Sequence, residues 1–206
     1  MEYLDIYDEQ GNHIGIEERG IVHKNALWHK TVHCWLYDKE GNIYFQIRQE
    51  EKTFYTTASG HLSAGESVKQ GFSREIKEEI GIEIDAENAK LVNIIPFIMD
   101  RENKDKTFFR DRAFSNVYVC EFLGNSTDFN YDHNELAGLV KVNAKETFAL
   151  FEKGSGSIPA EIITQKNKVT SIEKRYVDFQ EFLVNKHETA IKKYGDILKK
   201  VIELTN

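Results

Sequence analysis

The 206-residue sequence contains little cysteine and little proline, with two residues of each. Cys34 and Cys120 stand alone in apolar segments, without the close pairing of zinc fingers or redox motifs, and we expect both to be buried free thiols. Two prolines and 13 glycines exclude a collagen-like or low-complexity chain. Hydrophobic residues make up 40% of the sequence, which is enough for one packed core and predicts a single globular domain.

The sequence also lacks any apolar run close to the roughly 20 residues that span a bilayer, so we expect no membrane association. Its first twelve residues are acidic and polar, which predicts no secretion signal and a cytoplasmic location. Basic residues are not in excess: the net charge is −7, which argues against binding to nucleic-acid polymers. A small phosphorylated ligand would need a metal ion or a few arginines to meet its charge locally.

Alternating apolar and polar residues predict two β-hairpins, one within the first 18 residues and one around the turn at 39–42. The strands of the second hairpin are predicted at 31–38 and 43–48. Three further strands are expected at 90–98, 113–122 and 139–142, with the charged run 101–107 as an exposed loop.

Three segments predict helices, at 67–80, 144–153 and 173–203. Ser67 is a suitable N-cap for the first of these helices, and Gly81 a suitable left-handed C-cap. The long C-terminal helix carries an apolar stripe that includes Tyr176, Leu183, Ile191, Tyr194 and Leu198. We expect this stripe to pack against the same domain or against a second subunit, as in a homodimer.

The helix predicted at 67–80 places acidic residues beside its apolar face. On a wheel that turns 100° per residue, Phe72 and Ile76 lie at about 40° and 80° from Val68 and define that face. Three carboxylates fall within about 80° of Val68, namely Glu75, Glu78 and Glu79. A solvated charge run would instead place its acids on the opposite side of the helix.

These carboxylates need a positive partner, because the negative end of the helix dipole disfavours each by about 0.3–1 kcal/mol. Arg74 lies four residues before Glu78 and can pair with it. One interpretation is a salt-bridged helix end that also uses Lys69 and Lys77. The other is a hard divalent cation such as Mg²⁺, which takes oxygen ligands and suits glutamates at this spacing.

The loop before the helix favours the cation. Residues 60–82 match the pattern G-x5-E-x7-R-E-U-x-E-E-x-G-U, in which U is a bulky aliphatic residue. All nine fixed positions agree: Gly60, Glu66, Arg74, Glu75, Ile76, Glu78, Glu79, Gly81 and Ile82. This pattern is the Nudix box, and the sequence therefore resembles the Nudix hydrolase superfamily.

The resemblance implies an α/β fold, a Nudix-type α/β/α sandwich with a mixed β-sheet, here with an added N-terminal hairpin and a long C-terminal helix. We assign residues 1–157 to the Nudix domain. Residues 158–206 are then a helical extension that packs on this domain or on a partner subunit.

The resemblance also implies the site. Glu75, Glu78 and Glu79 would hold Mg²⁺ or Mn²⁺, and one of them or another glutamate would activate water. Arg74 would orient the glutamates, and Gly60 would permit the turn of the loop. The expected activity is hydrolysis of a pyrophosphate bond in a nucleoside diphosphate derivative or a similar small-molecule diphosphate.

Two residues outside the box are further candidates for contacts with the substrate. Glu135 precedes the late strand, where many members of the superfamily place another acidic ligand or base; the alternative is a solvated loop residue. Arg112 follows the aromatic pair Phe108-Phe109 and could contact a phosphate or stack on a base; the alternative is an exposed ion pair.

The histidines and the N-terminal half are also similar to the isopentenyl diphosphate isomerases, a branch of the same superfamily. In those enzymes, histidines near positions that match His23, His29 and His61 bind a metal, which leaves a second metal site open here. Those isomerases use a cysteine where this chain has Ser59, and a hydroxyl is too weak an acid for that proton transfer. Hydrolysis therefore ranks first, and an isomerase or a non-catalytic Nudix ligand sensor are the alternatives.

Overall fold

The computed structural model describes residues 1–102, 106, 108–182 and 188–206, with backbone alone for 188–192. These residues form eleven strands, β1 to β11, at Tyr3–Tyr7, His13–Glu18, Trp28–Tyr37, Asn42–Arg48, Phe54–Tyr55, Ala58–His61, Lys90–Glu102, Phe108–Glu121, Leu136–Asn143, Ser157–Lys166 and Val169–Asp178. They also form four α-helices, α1 to α4, at Arg19–Lys24, Val68–Ile80, Ala144–Lys153 and Glu188–Leu204. Two 3₁₀ turns lie at Ala86–Asn88 and Phe179–Glu181.

The strands join in one mixed sheet. Its main path runs β11-β10-β9-β4-β3-β1-β2, while β5 pairs with β4, β6 with β3, and β7 with β8. Strand β8 runs parallel to β3, from the pair Trp28 and Arg112 to the pair Tyr37 and Glu121, and the other pairings are antiparallel. Because β6 pairs with β3, the loop that leads into α2 is fixed at the centre of the sheet.

Helices cover both faces of the sheet. Along β3, Cys34 and Leu36 face a core that includes three α2 side chains, Phe72, Ile76 and Ile80. Trp35 and Tyr37 point to the opposite face, where a second core includes Leu150 of α3 and three residues of α4, Tyr194, Leu198 and Val201. This alternation confirms the predicted α/β/α sandwich. Cys34 and Cys120 are buried free thiols, as expected.

The structure confirms both predicted hairpins, the late strand and the helices at 67–80 and 144–153. The strands predicted at 90–98 and 113–122 are longer than expected, and residues 101 and 102 of the supposed loop belong to β7. The rest of that loop lies mostly outside the described residues. Among the described residues, no helix has the length and apolar character of a membrane span.

The predicted start of the C-terminal helix at residue 173 is wrong. Residues 157–178 form the antiparallel hairpin β10–β11, and α4 begins at Glu188. The hairpin turns at Asn167 and Lys168, whose φ angles of 53° and 64° suit a tight two-residue turn. Tyr176, expected in the buried stripe, is 69% exposed on the edge strand. Leu183 and the side chain of Ile191 lie outside the described residues.

The C-terminal residues pack on the rest of the chain. Strand β10 pairs with β9 from Ala160 to Ile163, which extends the sheet. Tyr194 and Leu198 of α4 are buried in the same core as Leu150 of α3. Strands and helices on both sides of residue 157 therefore share one core.

Candidate active site

Helix α2 is held at both ends by local interactions. Ser67 and Gln70 form a capping box at its start, and Gly81 ends it in the left-handed region, at φ 71°. A Cβ atom at Gly81 would collide with the backbone carbonyl of Asn130, so the close approach of that loop needs glycine as well. These contacts fix the rotation of α2 about its own axis. That rotation places its glutamates at the loop of residues 60–66.

Arg74 links these glutamates to the loop. Its Nε and Nη2 each donate to Glu66, both at 2.8 Å, and Nη2 also donates to the carbonyl of His61 at 2.8 Å. Its Nη1 donates to Glu75 at 2.7 Å and to Glu78 at 3.0 Å. The planar guanidinium thereby sets the positions of three carboxylates.

Gly60 leaves the space that Glu75 occupies. A Cβ atom at residue 60 would overlap the Glu75 carboxylate. Glu75 is buried, and burial raises its pKa although Arg74 acts in the opposite direction. A side chain at position 60 would therefore push this carboxylate away from the loop.

Glu79 has no basic partner of its own within the described residues. Its carboxylate accepts a hydrogen bond from the backbone N–H of Ser59 at 3.2 Å. Burial raises the pKa of Glu79 to about 8, and the charge of Glu75 contributes to the increase. A partly buried carboxylate with a single hydrogen bond is costly to ionise, so this position favours a nearby cation.

These carboxylates open into a cavity of about 640 Å³. Six of the predicted residues line it: Gly60, Arg74, Glu75, Glu78, Glu79 and Glu135. Other acidic, basic and aromatic residues also line it, among them Glu2, Arg19, His33, Arg48, Tyr55, Phe97, Asp111 and Asp132. The structure thus brings Glu135 to the helix carboxylates, and the charge of Glu135 also raises the pKa of Glu79. Sequence reasoning did not identify Arg48, Tyr55 or Asp132.

Arg112 lies elsewhere and is not among the residues that line the cavity. Its Nη1 is 2.8 Å from Asp100 and donates to the carbonyl of Asp111 at 2.9 Å. The guanidinium is therefore engaged with its own hairpin, which matches the ion-pair alternative.

Beside the cavity, His23, His29 and His61 form a compact cluster. One potential ligand atom from each lies within 4.8 Å of the others, and the Nε2 atoms of His23 and His61 are 3.2 Å apart. Burial lowers the pKa of all three histidines, so their imidazoles are neutral at pH 7. His29 Nε2 and Asp111 Oδ1 are buried 3.4 Å apart without a hydrogen bond to any described residue. Sequence reasoning named the histidines but not Asp111.

Comparisons with known proteins agree with this geometry. The NUDIX domain family matches residues 27–155. An uncharacterized Nudix hydrolase of Clostridium acetobutylicum is 31% identical over 204 residues, which covers 94% of this chain and 92% of that protein. An isopentenyl-diphosphate Delta-isomerase of Serratia proteamaculans is 26% identical over 128 residues, which covers 60% of this chain and 68% of the isomerase.

A crystal structure of a Deinococcus radiodurans protein has a similar fold, with a TM-score of 0.52 at 19% sequence identity. The alignment covers 74% of this chain and 90% of that protein.

We expect Arg74→Ala to destabilise the metal-free protein by about 1–3 kcal/mol, because it leaves the carboxylates of Glu66 and Glu75 without their charged donor. Lys77→Ala on the same helix is the control: its ion pair with Glu83 is exposed, so its loss should cost less than about 0.5 kcal/mol. Urea unfolding in the presence of a chelator measures both changes. Equal effects of the two substitutions would contradict the central role of Arg74.

Proposed function

This chain belongs to the Nudix hydrolases, enzymes that act on phosphoanhydride bonds, and from that premise we propose that it cleaves the pyrophosphate of a small nucleoside diphosphate derivative with a divalent cation held by Glu75, Glu78 and Glu79. Members of the family generally use divalent metal ions. Mg²⁺ or Mn²⁺ would be the ion here, because the proposed ligands are all carboxylate oxygens.

One observation carries the proposal: Glu75 and Glu78 share the Arg74 guanidinium at a cavity wall that Glu79 also lines, and Glu79 has no basic partner of its own among the described residues. Arg74 already shares its charge with Glu66, so it cannot also neutralise Glu79. The surplus negative charge would repel a diphosphate unless a cation stands between them. The donor set thus fits a hard divalent ion.

When bound, such an ion neutralises phosphate oxygens and lowers the pKa of a coordinated water. The protein supplies the orientation of the groups around it. Arg74 fixes Glu75 and Glu78, and the Ser59 N–H fixes Glu79. Glu79 is the candidate general base, because it lies on the cavity with a single hydrogen bond to its carboxylate, and a bound cation would favour its ionised, proton-accepting form. Glu135, on the same cavity, is a candidate further ligand or base.

We also propose that residues 1–157 form the catalytic unit and that 158–206 are an extension packed on it. The pairing of β10 with β9 and the burial of Leu198 support this arrangement. The homodimer stays a prediction, since α4 buries Tyr194 and Leu198 within its own chain.

We expect Glu79→Gln to lower kcat by about 100-fold or more, because the amide cannot accept a proton. Glu83→Gln is the control, since Glu83 is exposed just beyond the helix and Lys77 is its one ion-pair partner among the described residues. The measurement is metal-dependent hydrolysis of a panel of diphosphate compounds, with identification of the two phosphomonoester products. Activity should require millimolar Mg²⁺ or Mn²⁺ and disappear in a chelator.

Undiminished turnover by Glu79→Gln would remove Glu79 from the mechanism. Saturable binding of the same compounds, without any product at saturating metal, would instead favour the ligand-sensor alternative.

The isomerase alternative is favoured by the three-histidine cluster and by the similarity to a known isomerase. Ser59 weighs against it, because its hydroxyl cannot act as the acid that a thiol would provide. Neither cysteine can substitute, since Cys34 and Cys120 are buried in the core. Efficient conversion of isopentenyl diphosphate to its dimethylallyl isomer by the purified protein would reverse the ranking.

We further propose that His23, His29 and His61 hold a second cation, with Asp111 as a fourth ligand. The neutral imidazoles and the two buried atoms without partners, His29 Nε2 and Asp111 Oδ1, support this assignment. Nitrogen ligands favour a transition metal such as Zn²⁺ or Mn²⁺ over Mg²⁺.

We expect His29→Ala to lose about one equivalent of tightly bound transition metal per chain, because it removes one of the four proposed ligands. His133→Ala is the control, since His133 is exposed on a loop away from the cluster. Elemental analysis of purified protein after dialysis gives the stoichiometry. The same metal content in both variants would exclude a metal at this cluster.

A further inference from the structure

The floor of the cavity changes character along two neighbouring strands. On the face toward α4, Trp35 of β3 and Val117 of β8 are buried in the apolar core. Two residues earlier on each strand, the same face carries His33 and Ser115, and Thr31 donates a hydrogen bond to Ser115 at 3.0 Å. These polar residues do not join the apolar core, and they form a cavity floor that can donate hydrogen bonds to a ligand or accept them.

His33 and two neighbouring side chains, Arg48 and Tyr55, form what we call the donor wall. The Arg48 guanidinium lies over the Tyr55 ring, 4.5 Å from its centroid. The rings of His33 and Tyr55 meet edge to face, with centroids 6.1 Å apart. All three line the cavity, and in the described part of the chain none makes a side-chain hydrogen bond or an ion pair. Their donor groups are therefore available to a ligand.

Arg48 differs from the other arginines that line the cavity. Arg19 pairs with Glu2 at 2.7 Å, and Arg74 is shared among the carboxylates of the loop and helix. Arg48 is partly buried and has no carboxylate within ion-pair distance among the described residues, although its charge lowers the pKa of Glu79 from beyond that distance. A partly desolvated cation without a partner is unfavourable, and it suits an anionic ligand.

Two further observations indicate positive electrostatic potential near the donor wall. Lys193 of α4 lies with its Nζ 5.6 Å from the ring centroid of Phe97, which also lines the cavity. Burial lowers the pKa of His33 to about 4, and the charges of Lys193 and Arg48 act in the same direction. His33 is thus a neutral hydrogen-bonding group at pH 7, next to two cations.

We propose that the donor wall binds a second anionic group of the substrate, a phosphate that is separate from the pyrophosphate that is cleaved. The inference rests on the proposed function and narrows its substrate class to diphosphate compounds that carry an additional phosphate. The α2 carboxylates bind the pyrophosphate that is cleaved, through a metal that neutralises it. Arg48, with His33 and Tyr55, binds the additional phosphate, which the metal does not neutralise. A neutral sugar or base at this wall would leave Arg48 unpaired.

The first test uses inorganic phosphate as the probe, in a chelator, so that the carboxylate cluster cannot contribute through a metal. We expect phosphate to bind with millimolar affinity and to shift the NMR signals of the His33 ring. Arg48→Met should weaken binding about ten-fold or more, and Arg48→Lys should retain part of it. Lys39→Met, which removes the same charge at a side chain that is 80% exposed, should bind like the unchanged protein.

Phosphate that leaves the His33 signals unmoved, or that binds Arg48→Met as tightly as the unchanged protein, would overturn the inference. The folded state of each variant is checked by its thermal unfolding.

The second test compares substrates that differ by phosphate groups: coenzyme A with dephospho-coenzyme A, NADPH with NADH, and diadenosine tetraphosphate with diadenosine diphosphate. We expect kcat/KM to favour the more phosphorylated member of at least one pair by about ten-fold or more, and Arg48→Met to bring that ratio toward one. Ratios near one for every pair would contradict the second phosphate. An equal loss on both members would assign Arg48 to the shared diphosphate and would also contradict it.

The two proposals can fail separately. Phosphate binding that depends on Arg48, without turnover of any compound in Mg²⁺, would contradict hydrolysis and leave the anion site standing. Metal-dependent turnover without a preference for an additional phosphate would contradict the anion site and leave hydrolysis standing.

Discussion

The site depends on the contacts of one guanidinium. Arg74 donates to Glu66, Glu75, Glu78 and the carbonyl of His61, and so ties the helix to the loop that precedes it. The carboxylates would otherwise repel one another in a partly buried position at the negative end of a helix. Because arginine keeps its charge and its planar geometry, it holds them close together without neutralising them all. This excess charge is the reason for proposing a cation site here rather than a structural salt bridge.

Groups of both charges line the cavity. Carboxylates come from α2 and from the loop before β9, and Arg48 of the donor wall is paired in register with Leu136, where its charge also acts on Glu79. The protein as a whole carries a charge of −7 and does not attract an anion at long range. In the binding we propose, a phosphorylated compound therefore depends on local groups: a cation at the carboxylates and the guanidinium of Arg48. Thr31 and Ser115 interrupt the apolar face of the sheet at the same place, so packing and electrostatics agree on where a ligand lies.

The sequence predicted the elements whose signals are local. Ser67 and Gly81 marked the ends of α2, and the spacing of Glu75, Glu78 and Glu79 placed their carboxylates beside the buried face. The hairpin at 157–178 was missed because its turn, Asn167-Lys168, contains no glycine and its outer strand exposes Ile172 and Tyr176. The donor wall could not be predicted, since β3, β4 and β5 bring His33, Arg48 and Tyr55 together only through sheet pairing. Asp111 was missed for the same reason: the parallel pairing of β3 with β8 places it near His29.

Residues 59 and 60, in strand β6, bear on which of two reactions this site can carry out, hydrolysis or isomerisation. The backbone N–H of Ser59 holds the Glu79 carboxylate, and the missing side chain of Gly60 admits that of Glu75. Both contacts use only the backbone, so they would persist with a cysteine at position 59. The side chain at 59 lies on the same cavity, where a thiol could transfer a proton to carbon and a hydroxyl cannot. With serine there, the proposed proton acceptors are carboxylates such as Glu79, which a bound cation would keep ionised although burial raises its pKa. This contrast supports the proposal that the carboxylate cluster, and not the side chain of residue 59, carries out the hydrolysis that is typical of the family.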